Sequence, residues 1–188
     1  GRRVQARIRG PMVKRERLGR VGTTDVIFWR SPARTPALDG LVVPEDTYLL
    51  LHAATDALDA DASPLDLWAA LERAARAEKQ PLGSVIIEDG ARRGVTYIAR
   101  VVVYDFDGEP ICHPETVRAG LADALSELVR RGCDTLGVSL HGPMRGGLSR
   151  EAVLEALNEI VVRLDVASPR TLYLLEQEEG ASEPGPGA

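Results

Sequence analysis

The stretch Thr135-Leu136-Gly137-Val138-Ser139-Leu140-His141-Gly142-Pro143-Met144-Arg145-Gly146-Gly147-Leu148-Ser149-Arg150-Glu151 constrains the fold more than any other. It reads as a short apolar strand, a glycine-rich loop and the start of a helix. A buried strand passing directly into an amphipathic helix is the building unit of α/β sheets, in which helices cover parallel strands. The loop also carries chemistry. Glycines let a backbone approach a ligand without Cβ interference. The helix that follows turns its unpaired N–H groups and the positive end of its dipole back toward the loop. An anion such as a phosphate suits that junction, although the loop taken alone reads first as an ordinary turn between a strand and a helix. The loop lacks the Lys-Ser/Thr of a P-loop and the G-x-G-x-x-G spacing of a dinucleotide site.

The rest of the chain repeats the unit. Val4–Arg9 alternates apolar and charged residues, as a half-exposed strand does. Asp25–Trp29 and Leu41–Val43 are compact apolar strands, the second expected to end at Pro44. Tyr48–Leu58 is Leu- and Ala-rich and predicts a helix. Ser63-Pro64-Leu65-Asp66 marks the start of another, with Leu65, Trp68, Leu71 and Ala75 as its apolar face. Trp29 and Trp68 are expected in the core. Ser84–Glu88 and Thr96–Tyr104 are β-branched-rich strands. Val101-Val102-Val103 is apolar on both faces and belongs inside a sheet. Pro114–Arg131 predicts a helix buried through Val117, Leu121, Leu125, Leu128 and Val129, with Gly132 as its terminator. Leu136–Leu140, Ser149–Leu164 and Thr171–Leu175 complete the pattern as strand, helix and strand. The expected architecture is a three-layer α/β/α domain with a mixed, mostly parallel central sheet. Ligands in such sheets bind beyond the carboxyl ends of the strands. The loops after Leu41–Val43 and Leu136–Leu140 hold that position.

Composition narrows the function. With 188 residues and 44% hydrophobic content the chain supports one domain and a sizeable core. No apolar run reaches membrane-spanning length. Cys112 and Cys133 form neither a disulfide framework nor a metal pair, and read as structural thiols of a reducing compartment, so the expected location is cytoplasmic. Charge is segregated: residues 1–20 carry a net +7 and the remainder −12. A basic arm can neutralise phosphates, but no aromatic stands among these charges to stack on bases. A solvated or self-docked arm is therefore preferred to a nucleic-acid interface. Residues 1–22 read as a basic arm or edge strand, 23–176 as the domain, and 177–188 as an acidic Gly/Pro-rich tail expected to be disordered.

His141 at a strand end suits acid–base work or phosphate contact, and equally a loop histidine bonded to backbone. Arg145 offers a fork for a phosphate, and equally reads as a solvent-facing arginine. Tyr104-Asp105-Phe106-Asp107-Gly108-Glu109 brings aromatics and carboxylates to a strand end. It falls short of a calcium loop and reads first as a turn. No nucleophile, base and orienting acid stand in a recognisable pattern, and no metal or cofactor is expected.

In segment order and loop chemistry, residues 23–176 resemble the macro domain, the ADP-ribose-binding module. Asp39-Gly40-Leu41-Val42-Val43-Pro44-Glu45-Asp46-Thr47 is similar to the family's early strand, D-A-I-V-N-x-x-N. Gly137–Leu148 is similar to its loop P-x-x-G-x-G-x-x-G-G-L-P, which wraps a diphosphate. The resemblance implies non-catalytic binding of ADP-ribose or a related nucleotide diphosphate. It implies ligand contacts at His141, Gly142, Pro143, Met144, Arg145, Gly146, Gly147, Asp46, Thr47 and Tyr104. The chain departs from the family after the early strand. Val43 and Asp46 stand where hydrolytic members carry Asn, and Tyr48-Leu49-Leu50-Leu51-His52 replaces a glycine run. That departure leaves two alternatives: a fold that lost its ligand and serves as a protein-interaction or regulatory module, and an ADP-ribosyl hydrolase working through Asp46.

Overall fold

The computed structural model describes residues 13–31, 35–51, 68, 69, 72, 76, 78–140, 147–163 and 168–176. The strand expected at Val4–Arg9 and the tail at 177–188 lie outside them. Among the described residues seven strands form one sheet: β1 (Lys14–Val21), β2 (Thr24–Arg30), β3 (Gly40–Asp46), β4 (Val85–Asp89), β5 (Tyr97–Tyr104), β6 (Thr135–Ser139) and β7 (Thr171–Glu176). Their spatial order is β1-β2-β7-β6-β3-β5-β4. The four inner pairings are parallel, and β1 and β4 are antiparallel edges. The sheet is thus mixed and mostly parallel, as expected for an α/β fold. Both β6 and the Val101–Val103 stretch of β5 lie inside it.

Two helices, α1 (Pro114–Arg130) and α2 (Arg150–Arg163), pack against each other and over one face of the sheet. Helix α1 begins with Pro at N1. It ends at Arg130, with Arg131 as its C-cap and Gly132 following in the left-handed region at φ 87°. Its buried residues Val117, Leu121, Leu125 and Leu128 recur at spacings of four, four and three, which keeps one stripe facing the sheet. Helix α2 is capped by Ser149, whose Oγ accepts from the Ala152 N–H at 3.1 Å. Val153, Ala156, Leu157 and Ile160 bury its inner side. The other sheet face carries a smaller cluster of Leu38, Leu41, Val43, Ile98 and Leu175, edged by Trp29 and Tyr173 in an edge-to-face pair. Of the helices expected between 48 and 80, the described residues are helical only at Leu50–Leu51, Trp68–Ala69 and Glu72. Among the described residues no helix is long and apolar enough to cross a membrane.

Two expectations are corrected. Pro44 does not end its strand; β3 continues to Asp46, and Pro44 pairs with Val101 of β5. Proline is tolerated because pairing with the other neighbour, β6, has already ended at Val42. Trp68 is not core: it is 67% exposed, and the described residues beside it, Ala69 and Glu72, are exposed too. An apolar stripe of four residues does not fix which way a helix turns. Trp29 is half-buried on the smaller cluster.

Candidate functional site at the carboxyl edge of the sheet

The site begins with a divergence of strands. β3 pairs with β6 only over Gly40–Val42 against Leu136–Val138, whereas its pairing with β5 runs on to Asp46 and Tyr104. Past Ser139 the chain follows β7 instead, the Leu140 N–H donating to the Leu175 carbonyl at 2.8 Å. Among the described residues the carboxyl ends of β3 and β6 therefore part and leave a mouth between them. Crevices of this kind are where open α/β sheets hold ligands.

The β6–α2 connection leaves the sheet at that edge. Of the residues expected to contact a ligand, His141, Gly142, Pro143, Met144, Arg145 and Gly146 lie outside the described residues. Gly147 is described, and it is buried against the hydroxyl end of the Tyr104 ring. A Cβ at 147 would lie 2.6 Å from Tyr104 Cζ. The backbone of the loop's end thus rests on an aromatic floor, three residues before the first turn of α2. Tyr104 is 1% exposed, so it supports the loop rather than presenting its own face. Burial pushes its phenol up to about 12, with the Cys112 thiol adding to the effect. Phe106 stacks on it at 6.2 Å between centroids and carries the exposed aromatic face instead.

The loop after β3 is built differently from what ligand contact requires. Asp46 is fully buried, and its carboxylate accepts the Tyr48 N–H at 2.8 Å and the Leu51 N–H at 2.9 Å. Both oxygens serve the chain's own turn, so Asp46 is a cap and not an open acid. Leu49 sits at φ 59°, the one non-glycine residue in the left-handed region among those described. A branched side chain is costly there. Thr47 is also buried: its N–H donates to the Tyr104 carbonyl at 2.9 Å, and its carbonyl accepts the Gln80 N–H at 2.7 Å.

Outside this turn lies a polar cluster that sequence reasoning missed. Lys79 Nζ reaches Asp105 Oδ1 at 2.8 Å and Asp107 Oδ2 at 3.4 Å, and the Tyr48 hydroxyl donates to Asp107. The ammonium also stands 5.7 Å above the Tyr48 ring. Its hydrogen bond holds the Asp105 carboxyl below the usual range, while the Asp107 carboxylate pushes the Tyr48 phenol up. The run Tyr104–Glu109 hinted at the carboxylates; nothing in the sequence pointed to Lys79, because it comes from a distant segment.

Beneath the mouth, Glu45 and Arg100 are buried together, with Glu45 Oε2 3.6 Å from Arg100 Nη1. Arg100 also pairs with Glu88 of β4. Burial pushes the Glu45 carboxyl up to about 7. Cys112 and Cys133 are both free thiols. Burial raises each thiol, the opposite of what a nucleophilic cysteine needs. No cluster of three or more His, Cys, Asp or Glu suited to a metal ion forms among the described residues.

No protein-family profile matches the chain, and no curated protein sequence does. Solved structures do. The Oceanobacillus iheyensis macrodomain with ADP superposes at a TM-score of 0.60 and 16% identity, covering 89% of this chain and 90% of that one. A point mutant of the same protein with ADPR gives 0.53 at 17% identity, covering 88% and 89%. The Trypanosoma brucei macrodomain in complex with ADP gives 0.54 at 17%, covering 81% of this chain and 64% of its own. The chain is similar to these proteins in fold, at low identity. Its fold is that of a macro domain.

Proposed function

We propose that this macro-domain fold binds ADP-ribose or a related nucleotide diphosphate at the carboxyl edge of its sheet, without acting on it chemically. The observation that carries the reading is the mouth between β3 and β6, together with Gly147 packed against Tyr104 and the Ser149-capped N-terminus of α2 that follows it. A helix N-terminus at the carboxyl edge of such a sheet suits a diphosphate. Solved structures of the same fold carrying ADP or ADPR support the choice of ligand. In this reading the diphosphate lies along 142–147 with Arg145 as counter-charge, His141 and Met144 flank it, and Tyr104 acts from beneath. The hydrolytic alternative loses its acid, because the Asp46 carboxylate is spent on two backbone N–H groups.

The reading is tested by calorimetric titration with ADP-ribose and ADP. Ligand at about a hundred times its Kd raises stability by about 2.7 kcal/mol. Gly146→Val blocks backbone approach and abolishes the heat. Arg145→Ala weakens binding by about 1–3 kcal/mol, as loss of a hydrogen bond to a charged group does. A Gly146→Val protein that binds like the parent places the site elsewhere.

One observation favours a second reading, a protein-interaction or regulatory module with no nucleotide. Where the family carries a glycine run, Leu49 and the Tyr48–Asp107–Lys79 cluster close the turn after β3. Silence of both nucleotides at millimolar concentration selects this reading.

A further inference from the structure

The two edges of the sheet are treated in opposite ways. β1 is guarded: Lys14, Arg15, Arg17 and Arg20 stand on it exposed, and its pairing with β2 is interrupted between Arg17 and Gly19. Charge and irregularity are the usual means of keeping an edge strand from pairing with another chain. β4, Val85-Ile86-Ile87-Glu88-Asp89, has neither device over its first three residues. It pairs with β5 in unbroken register, carries no Lys or Pro, and leaves Val85, Ile86 and Ile87 only partly buried.

The open side of β4 has hydrogen-bonding capacity in a definite pattern. The Gly83 N–H donates to the Val102 carbonyl, and the Val102 N–H donates to the Ser84 carbonyl. Antiparallel alternation then turns Ile86 and Glu88 toward β5, and Val85, Ile87 and Asp89 outward. No described strand lies on that outer side. Beside it runs a groove lined by Val85 and Ile87 on the strand and by Asp123, Glu127, Arg130 and Arg131 on α1. Thr116 and Gly120 of α1 lie against Gly83, just before β4, so strand and helix run in the same direction. Along the groove the exposed acid Asp123 comes first, and Arg130 and Arg131, which both pair with Glu127 of their own helix, come last.

We propose that this edge takes a second copy of the same chain, with the two β4 strands antiparallel about Ile87. The polarity of the groove carries the choice. A two-fold axis through Ile87 sets each exposed Asp123 against the partner copy's Arg130, and reverses the order on the other side, so one surface complements itself. The same axis places Ile87 opposite Ile87 and Val85 opposite Asp89, with their outward N–H and C=O groups paired. The two sheets continue as one, with both α1 helices on the same face. The surface lies on the side of β5 away from β3 and β6, so this inference does not depend on the ligand.

Sedimentation of the full chain over a range of concentration tests it. The expected result is a reversible monomer–dimer equilibrium. Ile87→Lys sets two ammonium groups face to face and leaves only monomer. Asp123→Arg and Arg130→Glu each leave monomer alone, because each sets like charges across the axis. Mixed together, those two variants form a heterodimer: the introduced guanidinium of one faces the introduced carboxylate of the other, and the remaining Asp123 faces the remaining Arg130. Circular dichroism and thermal melts of each variant confirm folding. A parent chain that stays monomeric up to millimolar concentration overturns the proposal. So does a dimer indifferent to Ile87→Lys, or a mixture that fails to associate while both variants are folded.

Discussion

Gly147 is fixed by what lies under it. The Tyr104 ring fills the place of a side chain, and that ring is itself held between buried β5 and Phe106. Gly147→Ala must shift either ring or loop, and overpacking of this kind costs about 1–3 kcal/mol. Urea denaturation reads the loss; an Ala variant as stable as the parent shows that the contact gives way freely. Glu45 makes a second prediction at this scale, through pH. Its carboxyl sits near 7 in the fold, above its ordinary value of 4.5, because burial penalises the charged form. The folded state therefore keeps a proton that the unfolded chain releases between those values, and stability falls as pH rises from about 5 to about 7. The fall is on the order of 3 kcal/mol at most, at about 1.4 kcal/mol per pH unit. Carboxyls held low, such as Asp25 beside Arg20 and Arg17, act in the opposite sense and at more acid pH. Glu45→Gln is neutral throughout, so its unfolding free energy between pH 5 and 8 is expected to be flat where the parent's declines. A parent curve already flat in that window removes the basis for the prediction.

Helix α1 carries a glycine at its centre, where alanine is ordinarily better by about 1 kcal/mol. Gly120 is there because the helix comes too close to the sheet for anything larger: a Cβ would lie 2.7 Å from Val101 Cγ1 and 3.3 Å from the Gly83 carbonyl. Gly120→Ala is thus expected to lower the melting temperature, reversing the sign that helix propensity alone gives. A raised melting temperature would show that α1 can move outward at little cost. Elements of this kind were legible in the sequence to different depths. α1, α2 and the inner strands were readable because burial on one stripe or on both faces leaves a periodic trace, as in Val117–Leu128 and Val101–Val103. The run of β3 through Pro44 was not, since it depends on which neighbouring strand has already left. Nor was the exposure of Trp68, which depends on how a helix is turned.

For the molecule as a whole, segment order and the loop 137–148 pointed to the fold, and structures at 16–18% identity superpose on it. The mouth was foreseeable as a location, the ends of β3 and β6. Its construction was not: Asp46 as a cap, Leu49 in the left-handed region and Lys79 across two carboxylates all arise from contacts between segments far apart in the chain. The same holds for what joins the sheet at its middle. β3 and β6 share three residue pairs, so the seam needs another fastening, and Asp39 supplies it. Its Oδ2 accepts the Asp134 N–H at 2.9 Å and the Thr135 N–H at 2.8 Å. Its own N–H donates to the Thr135 carbonyl, and its carbonyl accepts from Thr96 and Tyr97. One residue thus ties the amino ends of β3, β6 and β5 and leaves their carboxyl ends free to part. Asp39→Ala removes two hydrogen bonds to a charged acceptor and leaves two N–H groups without it, a loss of about 2–4 kcal/mol. Asp39→Asn keeps an oxygen in the same place and is expected to lose about 1 kcal/mol or less. Both sides of the seam bury residues in one cluster beneath α1 and α2. The Ala variant should therefore still unfold in a single transition, with tryptophan fluorescence and circular dichroism falling together. Separate transitions for the two probes would show that the seam, and not the shared core, holds the halves together, and an unchanged midpoint would show that Asp39 fastens nothing.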